Sequence, residues 1–348
     1  MFGVAVDEKA NISLVTIPDP VPGEYDAVIQ NEIACLCNAT DSEIIDRELD
    51  EVDKYPALLG HEGAGTVVSV GSKVRSYKVG DRVVGALLLE STDPAYGSGF
   101  GGFCEYVVAK DYPALKEDGA IKERPGEDIV YKIMKSVPQD IPVEAAALLC
   151  TWREVLGSFT DFGLRDVRRL LIFGGGPVGL SFVRFARLLG MEYIGLVDSH
   201  AEKRELARQF GADETFSRDD PDLSKLSRIA NKGESPVEAV IDAVGKEEIL
   251  NAAVKIIPEG GRVCVYGLYR KPRIELNADN APRNWSLLYH QWPIRETEAE
   301  AQTQLIEWLR SGALTWQDFV SSRYPIRDVG SGIADIRSRK AVKILLEY

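Results

Sequence analysis

The chain has 348 residues and a formal net charge of −13, with 45% hydrophobic and 27% charged residues. That length exceeds one typical core and calls for two domains, and the proportions are those of a soluble globular protein. The negative balance, with no basic run, argues against a nucleic-acid or membrane partner, and no stretch approaches the ~20 apolar residues of a membrane helix.

Five cysteines without dense spacing do not make a disulfide framework and point to a reducing, cytoplasmic compartment. The opening Met1-Phe2-Gly3-Val4-Ala5-Val6 has no basic n-region and reads as a first strand, so no signal peptide is expected. Up to about residue 110 the chain alternates strands and turns. Strands are expected at 26–33, 65–71, 81–87 and 103–108, with a turn cluster at Pro18 to Gly23. The charged stretch from Lys110 to Gln139 shows little periodicity and is expected to be a surface loop or a short strand pair. From Val143 to Phe162 the apolar spacing is helical. Strands and helices then alternate to about residue 266, which predicts a doubly wound parallel sheet. A helix is expected over 298–309, with Thr297 and Glu300 at capping-box spacing. A second helical stretch over 326–337 and a last strand, Val342 to Leu346, close the chain.

The run Arg169 to Leu180 carries a specific signal. An apolar strand meets Gly174, Gly176 and Gly179 in G-x-G-x-x-G spacing, with Gly175, Pro177 and Val178 between them, and leads into a helix. In a dinucleotide site the first glycine permits the turn, the second lets a pyrophosphate approach the backbone, and the third packs helix against strand. The phosphates would rest at the helix N-terminus, where unpaired N–H groups favour an anion. A second strand, 192–198, ends in Asp198, nineteen residues after Gly179, at the spacing of a ribose ligand. A carboxylate there binds both ribose hydroxyls of NAD and repels the extra phosphate of NADP. Arg204 lies on the following helix, but no arginine immediately follows Asp198. The cofactor expected is NAD.

The stretch Pro56 to Gly65 contains Gly60-His61-Glu62 and precedes 67–71 and Gly80-Asp81-Arg82-Val83-Val84-Gly85. In this order, with the dinucleotide motif behind them, the segments closely resemble the zinc-dependent medium-chain alcohol dehydrogenase family over nearly the whole chain. The resemblance implies an α/β protein: a GroES-like, β-rich catalytic domain (1–151 with 292–348) and a Rossmann domain (152–291). It also implies one catalytic zinc, whose ligands fall on Cys37, His61 and Cys150, with Glu62 as substitute for the third. Thiolate and imidazole suit zinc, and three protein ligands leave a fourth position for substrate. Cys35 competes with Cys37, because Cys37-Asn38-Ala39-Thr40-Asp41 is one residue longer than the family pattern, although a strand over 27–35 would make Cys35 a core residue. Glu154 is a weaker ligand candidate. Thr40 and Asp41 fall on the family's substrate-side hydroxyl and outer carboxylate, and Glu43 stands where the proton relay usually ends.

The four cysteines of the family's structural zinc are missing between Leu88 and Gly102, and Gly97, Gly99, Gly101 and Gly102 are expected to form a shortened, flexible replacement. The reaction implied is reversible hydride transfer between NAD and an alcohol, with zinc as Lewis acid. The substrate expected is a primary or secondary alcohol, with a polyol or sugar favoured, bound by a homodimer or homotetramer in a cleft between the domains. Tyr112 to Tyr131, with Arg124, is expected to cover that cleft, and Trp152, Trp285 and Tyr289 to line it. Two other readings stand beside this one: a zinc-free quinone or enone reductase, and a non-catalytic NAD-binding protein.

Overall fold

The computed structural model describes residues 1–121, 130–226, 236–269, 273–279, 281–339 and 341–348. In chain order the first part gives strands β1 (Phe2–Val6), β2 (Ile12–Thr16) and β3 (Asp26–Leu36), then helix α1 (Thr40–Ile45). There follow β4 (Ala57–Leu58), β5 (Gly63–Val70), β6 (Arg82–Val84), β7 (Gly97–Ser98), β8 (Tyr106–Lys110), α2 (Tyr112–Glu117) and β9 (Lys135–Val137). After α3 (Val143–Asp161) the chain alternates: β10 (Arg169–Phe173), α4 (Pro177–Leu188), β11 (Tyr193–Val197), α5 (Ala201–Phe210), β12 (Glu214–Phe216), β13 (Ala239–Asp242), α6 (Glu247–Ile256), β14 (Arg262–Val265) and β15 (Ser286–Tyr289). It ends with α7 (Arg295–Arg310), β16 (Val320–Pro325), α8 (Val329–Arg337) and β17 (Lys343–Glu347).

These elements form two compact units, Met1–Arg153 with Gln302–Tyr348, and Glu154–Ala301. The first holds a four-stranded sheet, β2-β1-β4-β7, and a seven-stranded sheet, β16-β17-β3-β5-β6-β9, with β8 also pairing β3. Strand β3 is the axis of that larger sheet. Its Ala, Val, Ile and Leu residues are all buried, and β5 pairs it over 27–34, β8 over 26–30 and β17 over 33–36. One core gathers Val4, Leu36, Ile44, Leu59, Phe103, Ile344 and Leu346, so both ends of the chain pack round α1. A second, with Ile29, Val67, Val83 and Val107, lies among the middle strands.

The second unit is a six-stranded sheet in the order β12-β11-β10-β13-β14-β15, parallel at every pairing. This is the 3-2-1-4-5-6 order of dinucleotide-binding sheets, with its switch point between β10 and β13. Both faces are covered, so its strands read as continuous apolar runs such as Leu170 to Phe173 and Ala239 to Ile241. The GroES-like and Rossmann architectures expected from the sequence are both present. Among the described residues, no helix is long and apolar enough to cross a membrane.

Several local expectations need correction. The segment after Lys110 is not a plain loop or strand pair: it forms α2, capped by buried Asp111, whose carboxylate accepts the N–H groups of Ala114 (3.1 Å), Arg75 (2.6 Å) and Ser76 (2.7 Å). Arg124, expected over the cleft, lies outside the described residues. Helix α7 starts at Arg295, so Thr297 sits inside its first turn. Its hydroxyl oxygen stands 2.8 Å from Asp161 Oδ1 and 2.7 Å from the Ile294 carbonyl oxygen, two acceptors that share its single proton. Trp152 is a core residue, 1% exposed, with its ring edge-on to Phe319. The glycines of 97–102 are there for close packing, not for flexibility. A Cβ on Gly97 would come 2.2 Å from the Lys54 carbonyl oxygen, and one on Gly102 would come 2.8 Å from the Gly60 carbonyl.

Candidate active site

Cys37 follows the last residue of β3, and α1 begins at Thr40, so the chain leaves a buried strand and turns at once into a helix. Asp41, in the first turn of α1 and 2% exposed, governs this corner. One carboxylate oxygen accepts the Cys37 N–H (2.9 Å), and the other stands 3.1 Å from His61 Nδ1. It thereby fixes two segments with a single group. Gly60, at φ +93°, supplies a backbone turn just before His61 that other residues rarely adopt. The Phe100 ring lies 5.8 Å from the imidazole.

With Nδ1 held by Asp41, the other imidazole nitrogen, Nε2, stands 3.8 Å from Glu62 Oε1. Cys37, His61 and Glu62 offer three donor atoms that all lie within 4.8 Å of one another. Ligands ~2.0–2.3 Å from a tetrahedral zinc stand roughly 3.5 Å apart, so a small side-chain adjustment would bring these three onto one ion. The donor set of soft thiolate, imidazole and carboxylate fits zinc. Burial opposes charge on the His61 ring, but Asp41 and Cys37 outweigh it and hold its pKa well above the ordinary imidazole value. The same concentration of negative groups favours a cation here.

Cys150, on α3, is not among the three donors. It is 8% exposed, and its thiol faces the Gly63 carbonyl at 4.0 Å. Its neighbour Thr151 donates to Glu62 Oε1 (3.0 Å). Cys35 lies fully buried inside β3, opposite Leu345 of β17. Thr40 and Glu43 are both buried and, three residues apart on α1, share one face. Glu154 Oε2 accepts the Tyr266 hydroxyl at 3.3 Å, within the second unit.

Sequence reasoning missed Lys343. Its ammonium, 3% exposed, stands 2.7 and 2.6 Å from the two oxygens of Glu62. Burial alone would push the Glu62 carboxyl up, but Lys343 and His61 outweigh it and bring it below the usual carboxylate range. The signal was present: Lys343 is the one charge in the apolar run Val342 to Leu346.

The second unit carries the dinucleotide motif. Strand β10 ends at Phe173, and Gly174 turns the chain at φ +105°. A Cβ on Gly179 would meet the Gly174 carbonyl oxygen at 1.7 Å, so the third glycine lets α4 close against the turn. A Cβ on Gly176 would meet nothing within 4 Å. That open space lies at the N-terminus of α4, where Gly176 is the cap and Pro177 and Val178 begin the first turn. It is the cradle an anionic pyrophosphate needs. Asp198 follows β11. Its Oδ2 accepts the Gly175 N–H (2.7 Å) and its Oδ1 the His200 N–H (2.8 Å). Burial would raise the Asp198 pKa, but those N–H donors outweigh it and lower it. Arg204 Nη1 donates to the Asp198 carbonyl (2.8 Å) and so supports this corner from α5.

Two family profiles match the chain: the alcohol dehydrogenase GroES-like domain over residues 23–117, and the zinc-binding dehydrogenase domain over 177–298. The chain belongs to the zinc-type medium-chain alcohol dehydrogenase family. Among this dehydrogenase's relatives is D-arabinitol dehydrogenase 1 of Uromyces fabae, 26% identical over 100% of this chain and 97% of that protein. Another is the NADP-dependent isopropanol dehydrogenase of Thermoanaerobacter brockii, 28% identical over 76% of this chain and 75% of that one. In fold it is similar to galactitol-1-phosphate dehydrogenase from Escherichia coli, with a TM-score of 0.77 and 20% identity over the full length of both chains.

The two glycines separate packing from binding. Gly179→Ala should cost about 1–3 kcal/mol of stability by overpacking. Gly176→Ala should leave the unfolding midpoint in place and weaken NADH binding at least tenfold. Thermal unfolding and NADH fluorescence titration of both variants check this.

Proposed function

We propose that this dehydrogenase is zinc-dependent and moves a hydride between NAD and an alcohol, with polyols and sugars the favoured substrate class. The observation that carries the reading is the convergence of Cys37, His61 and Glu62 around one point, with Asp41 orienting the first two. A bound zinc would supply Lewis acidity to the alcohol oxygen, and NAD the hydride acceptor.

The chain's own groups do the rest. Asp41 occupies His61 Nδ1, which leaves Nε2 for the metal. Cys37 and His61 would be ligands, with Cys150 or Glu62 completing the set. Thr40, on the same buried face of α1 as Glu43, would take the hydroxyl proton and pass it outward. Gly174 to Gly179 would hold the pyrophosphate, and Asp198, with Arg204 behind it, the adenosine ribose. A partly buried carboxylate at that place favours NAD over NADP. The zinc-free reductase and the non-catalytic NAD-binding protein would leave the Cys37–His61–Glu62 cluster without a purpose.

The five cysteines, none in a disulfide, support a reducing, cytoplasmic compartment. Among the described residues β15 is an edge strand, and it carries Leu287 and Tyr289, 41% and 45% exposed, which supports a homodimer or homotetramer. The D-arabinitol dehydrogenase among its relatives supports the polyol class.

Two variants test the reading. His61→Ala should abolish turnover on the best alcohol of a screened panel while leaving NADH binding nearly intact, because phosphate and ribose contacts belong to the other unit. Substantial residual turnover would contradict a metal role for His61. Asp198→Ala should cost NAD binding on the order of 1.5–3 kcal/mol and relax discrimination against NADP. A wild-type enzyme that already prefers NADP would contradict the role given to Asp198.

A further inference from the structure

The corner that ends in Asp198 carries more basic groups than a ribose contact requires. His200 is the N-cap of α5, and Lys203 and Arg204 follow three and four residues later on the same helix face. Both are half-buried, whereas Ala201 and Glu202 beside them are exposed. Arg204 Nη1 reaches the Asp198 carbonyl at 2.8 Å. His200 comes closest to the acid: its Nδ1 stands 2.9 Å from Asp198 Oδ1, the same oxygen that accepts its backbone N–H. Burial raises the Asp198 pKa, and it is outweighed by the N–H groups of His200 and Gly175, the His200 ring and the Lys203 ammonium. The imidazole is 40% exposed and the carboxylate 10%, so the ring is the part of this pair that solvent and ligands reach.

The other neighbours hold their charge near neutrality. The glycine turn offers only the Gly175 N–H, and β12 the Phe216 carbonyl, which accepts the Asp198 N–H at 3.1 Å. Arg218, just beyond β12, pairs with Glu248 at 3.4 Å. Lysine and arginine stay protonated across this range, while an imidazole changes charge between about pH 5 and 8. A neutral ring that gives its Nδ1–H to Asp198 turns a bare lone pair outward at Nε2 and leaves the acid uncompensated. A protonated ring forms an ion pair with Asp198 and gains an N–H donor at Nε2. We propose that His200 makes the choice of dinucleotide depend on pH: neutral, it leaves Asp198 to bind the ribose hydroxyls of NAD, and protonated, it neutralises Asp198 and admits the 2′-phosphate of NADP. The proposal rests on the ribose role given to Asp198 above.

Calorimetric titration with NAD and with NADP at pH 8 and pH 6 tests this without a substrate. In the wild type the ratio of NADP to NAD affinity should rise at least tenfold from pH 8 to pH 6, the worth of one charge-assisted hydrogen bond. A phosphate monoester itself takes up a proton near pH 6, which works against that rise. His200→Gln keeps the backbone N–H to Asp198 but cannot titrate, so its ratio should not rise. A ratio that rises in His200→Gln as in the wild type would assign the effect to another group and overturn the proposal. A wild-type ratio that stays level would overturn it as well. NADP bound as tightly as NAD already at pH 8 would overturn the role of Asp198, and binding of neither dinucleotide at either pH would overturn the dinucleotide reading itself, and this inference with it.

Discussion

A buried ion pair between Glu62 and Lys343 joins residues 281 apart in the chain. The first unit is made of two stretches separated by a whole Rossmann unit, and the returning stretch must find its place on β3. Ile344 and Leu346 pair with Leu36 and Ala34 of β3 and join the core around α1. A slip of one residue would turn Lys343 out of the core and strand Glu62 as an unpaired buried anion. Removing one partner of a buried pair costs roughly 3–5 kcal/mol, so the correct register is strongly singled out. The pair is therefore a constraint on assembly as well as on the site.

Asp41 imposes a second constraint on the same corner. It bonds to the backbone of Cys37 and the ring of His61, and so ties the loop after β3 to the loop before β5. Gly97, Gly99 and Gly102 press close to the chain at 54–61, and Gly101 presses against Leu88, so that any side chain there would collide. The family's structural-zinc cysteines are absent from that stretch, and tight backbone packing holds it in place. The site is thus bounded on three sides by a sheet end, a helix start and a glycine-packed wall.

The legible parts of this protein were those whose physics is local. The glycine spacing of 174–179 dictates a turn, an open cradle and a close helix, and Asp198 lies at a fixed chain distance from it. The alternation of apolar strands and amphipathic helices revealed the parallel sheet for the same reason. The capping box at Thr297 misled because Asp161, distant in sequence, takes its hydroxyl and the helix starts earlier. Trp152 read as a cleft residue because its type suits one, yet the packing partner that buries it, Phe319, lies far along the chain. The glycines of 97–102 read as flexible because sequence shows composition and not what presses against it. Lys343 escaped notice because a charge in an apolar strand declares itself only when its partner is seen.

The central claim is that the first unit holds one catalytic zinc and the protein no other. Elemental analysis of protein purified and dialysed without chelator measures this directly. The account predicts one firmly held zinc per chain. Two per chain would show a second site that the missing cysteines of 88–102 do not allow for, and none would contradict the metal chemistry assigned to Cys37 and His61.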